Sequence, residues 1–441
     1  MYGIIQFICL GLLSFAADDS HPIIEDSLDI MPVWSGHPVG FTLLTQPPRQ
    51  YAAFYDAERR MTVAVRTLDA TNWQFVRLPE TVGWDSHNFV TMTIDDDGYI
   101  HLSGNMHCVP LIYFRTARPH DISSFQRIPS MVGSNEQRCT YPRFLRGADG
   151  ELMFTYRDGS SGNGDQIYNV YDLESQTWRR FLDQPLTAGE GLRNAYAHGP
   201  RRGPDGFFHL CWVWRDTPDC STNHDLSYAR SRDLAHWETS DSSPLNLPIT
   251  LETGEIVDPV PVGGGIINGN TILGFDSQDR LIISYHKFDD QGNTQLYNAR
   301  REKDGWKIYQ TSQWDYRWEF KGGGAIPFEI RIGGVRVESD GSLSQSYSHP
   351  KHGSGQWLLD EATLKPIGKL PRRSSYPPSL SHVESQFPGM QVRWRSDSGK
   401  SEEKGVRYAM RWETLPAHRD RPREGQPPAP VMLKLYRLRD D

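Results

Sequence analysis

A turn-and-strand unit that recurs along the chain predicts an all-β fold, a seven-bladed β-propeller. Three observations carry that reading. Turn formers are spread throughout, with 39 Gly and 30 Pro in 441 residues. Aromatic residues make up 11%, including 13 Trp, and supply surface to bury between sheets or to offer a ligand. No long stretch keeps a helical period, whereas short β-rich runs bounded by Gly, Asp or Asn are frequent. A β-sandwich array is the alternative use of such strands.

The units follow one another in order. Residues 45–80 supply the first. Asp97-Gly98 turns into YIHLSGNMH and then LIYFRT. Asp149-Gly150 leads into ELMFTYRD and QIYNVYD and closes at Trp178. Asp205-Gly206 leads into FFHLCWVWRD and DLSYARSRD and closes at Trp237. Asp279-Arg280 leads into LIISYHKFDD and QLYNARRE and closes at Trp306. Asp340-Gly341 opens a weaker copy, and residues 380–440 supply the last, with Val431 to Leu438 as the strand that closes the ring. Ser231 to Trp237 reads as a degenerate Asp-box turn, one residue short.

Several classes are excluded. Lys and Arg number 47 against 55 Asp and Glu, a net charge of −8, which argues against a nonspecific nucleic-acid binder. No internal run reaches the roughly 20 apolar residues of a membrane helix. Ile4 to Ala17 is mostly apolar and uncharged, too short to span but suited to a secretory signal cleaved after Ala16. The expectation is a secreted or periplasmic monomer with one catalytic domain over residues 17–441. Cys9 leaves with the signal, so Cys108, Cys139, Cys211 and Cys220 remain.

The repeat register places residues at the mouth of the ring. Counted from Gly98 and Gly206, His107 and Arg215 lie at offset nine; counted from Gly150 and Arg280, Arg157 and Lys287 lie at offset seven. A difference of two preserves strand parity, so the four cations share a face. A cationic mouth implies an anionic ligand, and the aromatic content suggests a sugar; a uronic acid has both properties.

At this point the motifs resemble the BNR-repeat β-propeller family that contains ulvan lyases and lyases of L-rhamnose-α-1,4-D-glucuronate. The best segments are DSHNFVTMTIDDDGYIHLSGNMH (85–107), CTYPRF (139–144), YRDG (156–159), TNHDLSYARS (222–231) and GFDSQDRLIISYHKFDDQGNTQLYNAR (274–300). That family uses two histidines about twenty residues apart, then a tyrosine and an arginine about sixteen apart. His87 and His107 are 20 apart here, and Tyr141 and Arg157 are 16 apart. The resemblance implies a polysaccharide lyase whose catalytic set is His87, His107, Tyr141 and Arg157. Asn88, Arg215, His286 and Lys287 are expected to bind substrate. The loop between His107 and Tyr141 is shorter than in such lyases, which bears on substrate fit.

The residue types suit that chemistry. Arg157 would neutralise the uronate carboxylate and stabilise the enediolate formed when C5 loses its proton. In glucuronate H5 and O4 lie on one face, so one group can take the proton and return it to O4. His107 and Tyr141 are the acid/base pair, not separated here; the nearby cations are expected to lower the Tyr141 pKa. His87 would assist the carboxylate or orient the base. A sialidase-like glycoside hydrolase, or a non-catalytic sugar-binding propeller, remains the competing reading.

The chain also carries C-x8-C-x3-H at Cys211, Cys220 and His224, with His198 upstream and His209 as a weaker fourth ligand. Two Cys and two His suit a structural Zn2+ site, and related lyases carry a metal in this region. The alternative is a Cys211–Cys220 disulfide or two buried thiols. A Cys108–Cys139 bridge would brace the catalytic residues. No organic cofactor is expected.

Overall fold

A computed structural model describes residues 21–371 and 374–440. The expected signal segment and Cys9 lie outside the described residues. The fold is all-β; its described helical content is three short 3-10 turns, at Ile122–Ser124, Cys220–Thr222 and Pro378–Leu380.

The strands fall into antiparallel meanders in chain order. The first is Thr42–Gln46, Arg49–Tyr55, Arg60–Thr67 and Gln74–Thr81. The second is Val90–Ile94, Ile100–Gly104, Tyr113–Thr116 and Phe125–Arg127. Cys139–Arg146, Leu152–Ser160, Asn163–Asp172 and Thr177–Arg180 form the third. Asn194–Arg202, Phe208–Arg215, Asn223–Ser231 and Trp237–Glu238 follow, joined to the third by one parallel pair, Gly164 with Asn194. Ile272–Phe275, Leu281–Phe288, Thr294–Glu302 and Gly305–Gln310 come next. Then Arg331–Ile332 and Arg336–Val337 share the edge of Leu343–His349, Gly353–Leu359 and Pro366–Leu370. The last sheet is Gln391–Ser396, Val406–Thr414 and Val431–Arg439, completed at its edge by the N-terminal strand Ile23–Val33. The C-terminal strand expected at Val431 is present inside this sheet, and its outer partner comes from the other end of the chain.

The turns explain the repeat. Gly98, Gly150, Gly206 and Gly341 all take φ between 81° and 87°, where a side chain would be strained. Asp279 takes φ 60° in the fifth unit, so it, and not Arg280, is the equivalent of those glycines. The backbone agrees: Gly98 N donates to Asp95 O as Asp279 N donates to Asp276 O.

Aromatic side chains pack where sheets meet. Trp178, which closes the third meander, donates to the Tyr113 hydroxyl of the second at 3.0 Å and lies among His101, Phe144 and Phe154. The Ser231 to Trp237 turn is hydrogen-bonded throughout, with Ser231 Oγ accepting from Leu234 N and Asp233 Oδ1 from His236 N. Trp212 and Trp214 are fully buried, and Trp214 Nε1 donates to Ser227 Oγ at 3.1 Å. We expect Trp214→Ala to cost roughly 3–5 kcal/mol of stability in urea unfolding; a loss below 1 kcal/mol would contradict the packing described.

Candidate active site

The site begins at a tight turn. Asn88 N donates to Asp85 O, and His87 N donates to Asp85 Oδ1 at 2.9 Å, so the Asp85 side chain caps its own turn. The same carboxylate holds two imidazoles. Oδ1 lies 2.7 Å from His87 Nδ1, and Oδ2 lies 2.5 Å from His107 Nδ1. A carboxylate only accepts, so both Nδ1 atoms donate, and Nε2 of each ring is left for proton exchange. The rings stack with centroids 4.1 Å apart and planes 26° apart.

This arrangement shifts charge. Burial opposes ionisation of Asp85, but the two imidazole hydrogen bonds prevail and hold its carboxyl well below the usual range. Burial would lower the His107 pKa, yet its bonds to Asp85 and Cys108 outweigh that and raise it to about 9. His107 therefore carries a proton at neutral pH.

Backbone irregularities aim the next residues. The ladder between Cys139–Arg146 and Leu152–Ser160 shifts register between Thr140 and Arg143, and Tyr141 takes φ 58° within that bulge. Its ring lies 5.5 Å from that of His87. Burial pushes the Tyr141 pKa up, and the pull of Arg157 and Arg215 does not overcome it. The expected lowering is thus corrected: desolvation wins over the neighbouring cations.

Arg157 is 2% exposed. Its Cζ lies 5.0 Å from the Tyr141 ring centroid and 5.9 Å from that of Tyr196. One terminal nitrogen donates to Thr140 Oγ1 at 3.1 Å and to Cys108 Sγ at 3.5 Å, the other to the Tyr196 hydroxyl at 3.4 Å. Its Nε has no partner. Among the described residues no carboxylate forms an ion pair with it, although buried charges are normally paired. Arg215 donates to the carbonyls of Thr217 and Pro218 and lies 5.4 Å from the Tyr196 ring.

These residues line a cavity of about 440 Å³ that holds His87, His107, Cys108, Tyr141, Tyr196 and Arg215, walled opposite by Ile267, Ala325 and Phe328. A second cavity of about 250 Å³ holds Arg157 and Arg143 and shares Tyr141 and Tyr196 with the first. Among the described residues no Asp or Glu lines either one.

Other expected residues lie elsewhere. Lys287 is paired with Asp258 at 2.6 Å. Counted from Asp279, it stands at offset eight, so its parity is opposite to that of Arg157. His286 takes offset seven but is buried against Trp318 and Phe320, with both ring nitrogens unpartnered and its pKa lowered by burial to about 4. Asn88 accepts through its carbonyl from the Tyr55 hydroxyl and is not part of either cavity wall.

The four expected zinc ligands are not brought together. Both His224 nitrogens face carboxylates, Asp216 at 3.0 Å and Asp225 at 2.9 Å. Cys211 sits in an apolar cluster with Tyr228 and Ile283, roughly 13 Å of extended strand before the end at Arg215, whereas Cys220 lies beyond that end and lines the cavity. His198 pairs directly across the ladder with Cys211 but is exposed, and neither Cys220 nor His224 joins the two. His209 bonds Tyr228 and Asp205. The residues do not fit zinc. All four described cysteines are free, so neither expected disulfide is present. The described ligand-type group that does converge is Asp85, His87 and His107, and its two Nδ1 atoms are spent on one carboxylate.

Two site residues were missed by sequence reasoning. Asp85, two positions before His87, was open to detection as an Asp-x-His turn. Tyr196, whose hydroxyl meets Ser161 Oγ at 2.5 Å, gave no spacing signal.

The profile of the BNR repeat-containing family matches residues 49–314. The chain belongs to that family. Among curated relatives, an ulvan lyase long isoform of Glaciecola sp. (strain KUL10) is 46% identical over 66 residues, 15% of this chain and 6% of that one. An ulvan lyase short isoform of Alteromonas sp. (strain LOR) is 43% identical over 145 residues, 28% of this chain and 26% of that one. The chain thus spans well under two thirds of these relatives. A solved polysaccharide lyase superposes with TM-score 0.61 at 14% identity, covering 95% of this chain and all of that one. An ulvan lyase of polysaccharide lyase family 25, bound to -[GlcA(1-4)Rha3S]-, superposes with TM-score 0.59 at 14% identity, covering 94% and 96%. These structures share the fold.

The imidazole pair has a stability signature. The His107 pKa is raised on folding, so its stabilisation is complete below its unfolded value of about 6.5 and is lost as pH rises through about 9. Asp85 is lowered, so its share is present above about pH 4 and lost in more acid solution. We expect Asp85→Asn to be less stable than wild type near pH 6, with the gap narrowing steadily toward pH 10. A gap independent of pH in urea titrations would contradict an imidazolium at His107.

Proposed function

We propose that the chain is a polysaccharide lyase that cleaves α-L-rhamnosyl-(1→4)-D-glucuronate linkages by β-elimination. The observation that carries this reading is Arg157: a buried guanidinium with no carboxylate partner among the described residues, lying against the Tyr141 ring that in turn faces His87. Such a cation suits an incoming uronate. The relatives named ulvan lyases, and the bound glucuronate-rhamnose oligosaccharide of one solved neighbour, support the same substrate class.

In this reading Arg157 neutralises the substrate carboxylate, which acidifies C5. The C5–H bond breaks, its electrons form the C4–C5 double bond, and the C4–O4 bond breaks. The Tyr141 oxygen takes the C5 proton while its own hydroxyl proton passes to the free Nε2 of His87, and the His107 imidazolium, on the same face, gives its Nε2 proton to O4. Arg215 holds the far side of the sugar. A glycosidase of the two-carboxylate type is disfavoured because no Asp or Glu among the described residues lines the cavities.

The meanders are, in this account, the blades of one seven-bladed ring, closed by Ile23–Val33 on Val431–Arg439. The domain begins at residue 17 after a cleaved signal, and the protein acts outside the cytoplasm as a monomer.

Incubation with ulvan and with gum arabic tests the reading. The expected outcome is rising ultraviolet absorbance from an unsaturated uronate, lost about 100-fold or more in Arg157→Ala and His107→Ala. New reducing ends without that absorbance would overturn the lyase assignment.

A further inference from the structure

Asp420 lies in the loop between Val406–Thr414 and Val431–Arg439, 334 positions after Ser86. Its side chain is 8% exposed and lies outside the cavity wall. Both it and Arg419 take φ 55°, a strained conformation for such side chains.

Its two oxygens are fully used. Oδ1 accepts from Ser86 N and Ser86 Oγ, each at 3.0 Å, and lies 3.3 Å from Nε2 of the buried His37. Oδ2 accepts from Ala325 N at 2.6 Å and lies 3.4 Å from His87 Nδ1. Arg419 continues the seam: its N donates to Ala325 O, and its guanidinium donates to the carbonyls of Lys321 and Gly323. The segment thus gripped supplies Gly324, Ala325 and Ile326 to the cavity.

We propose that Asp420 is a positioning residue for the His87–His107 pair, which fixes the Ser86-His87 backbone and the facing 324–326 wall at one carboxylate. The inference rests on the lyase reading for its kinetic consequence only. Asp85 orients the rings but belongs to the same turn as His87, so it cannot locate that turn against the opposite wall. Asp420 does so from a distant part of the chain. Its loss would also orphan the donors Ser86 N and Ala325 N.

Asp420 adds a second negative charge beside His87. The groups facing His87 are Asp85 on its own turn, Asp420 from the C-terminal loop, His107 from His107–Val109 and Tyr141 from Cys139–Arg146. His37 faces Asp420 from the N-terminal side. Burial would raise the Asp420 pKa, but the His37 and Ser86 bonds bring it down to about 2, so the carboxylate is charged at neutral pH.

The test is an NMR titration of the imidazoles of wild type, Asp420→Asn and Asp420→Glu, with steady-state kinetics alongside. In Asp420→Asn the Asp85–His87 turn is loosened, and we expect the raised His107 midpoint to fall by about one pH unit. The kcat should drop roughly tenfold or more with KM nearly unchanged, and the alkaline limb of the pH profile should move the same way. Asp420→Glu restores the charge and should return the midpoint toward wild type. An unmoved midpoint in Asp420→Asn would overturn the proposal. If that variant does not fold, Ser86→Ala loosens the grip without changing charge; reduced kcat at constant KM supports the proposal, and wild-type kcat overturns it. The titration needs no substrate, so it stands even if wild type yields no unsaturated product. Unsaturated product with an unmoved midpoint sinks the positioning role alone.

Discussion

Charge is divided unequally across the two adjoining cavities that share Tyr141 and Tyr196. Asp85 is shared by two imidazoles, while Arg157 is buried among hydroxyls, a thiol and aromatic faces with no carboxylate partner among the described residues. Had the acid been placed on the arginine, the guanidinium would be neutralised in place and the histidines left without fixed tautomers. As built, the carboxylate specifies which nitrogens remain free, and the arginine keeps its charge for an anion. The rest of the site, from the bulge at Tyr141 to the stacking of the rings, serves that division.

The fold achieves it by combining separate sheets. His87 comes from a turn before the second meander, and His107 lies on a short strand that pairs with the third. Tyr141 and Arg157 stand on adjacent strands of the third, and Tyr196 and Arg215 on adjacent strands of the next. Sheet packing through Trp178 and its aromatic neighbours is what holds these sources in register. Left-handed backbone at Cys108 and Tyr141 turns side chains out of the regular alternation and toward the cavity.

Much of this was legible in the chain. The Asp-Gly turns marked real hairpins because glycine accepts positive φ at low cost. The 20- and 16-residue spacings, matched to the family that the chain resembles, pointed to four side chains that do meet. The failures are equally physical. At Asp279 a non-glycine residue occupies the left-handed position, so counting from Arg280 slipped parity by one and brought Lys287 to the wrong face. The Cys211, Cys220 and His224 spacing resembled a ligand set, but a strand end separates the thiols and two carboxylates occupy the imidazole. Asp420 was invisible because nothing local in its sequence refers to Ser86.

The central claim is that this cavity removes a proton from C5 of a glucuronate. A glucuronate–rhamnose polymer labelled with deuterium at C5 tests it directly, with the product read by mass spectrometry in ordinary water. The account predicts an unsaturated terminal uronate that has lost its C5 deuterium. Cleavage to a hydrated product that retains the label would contradict it.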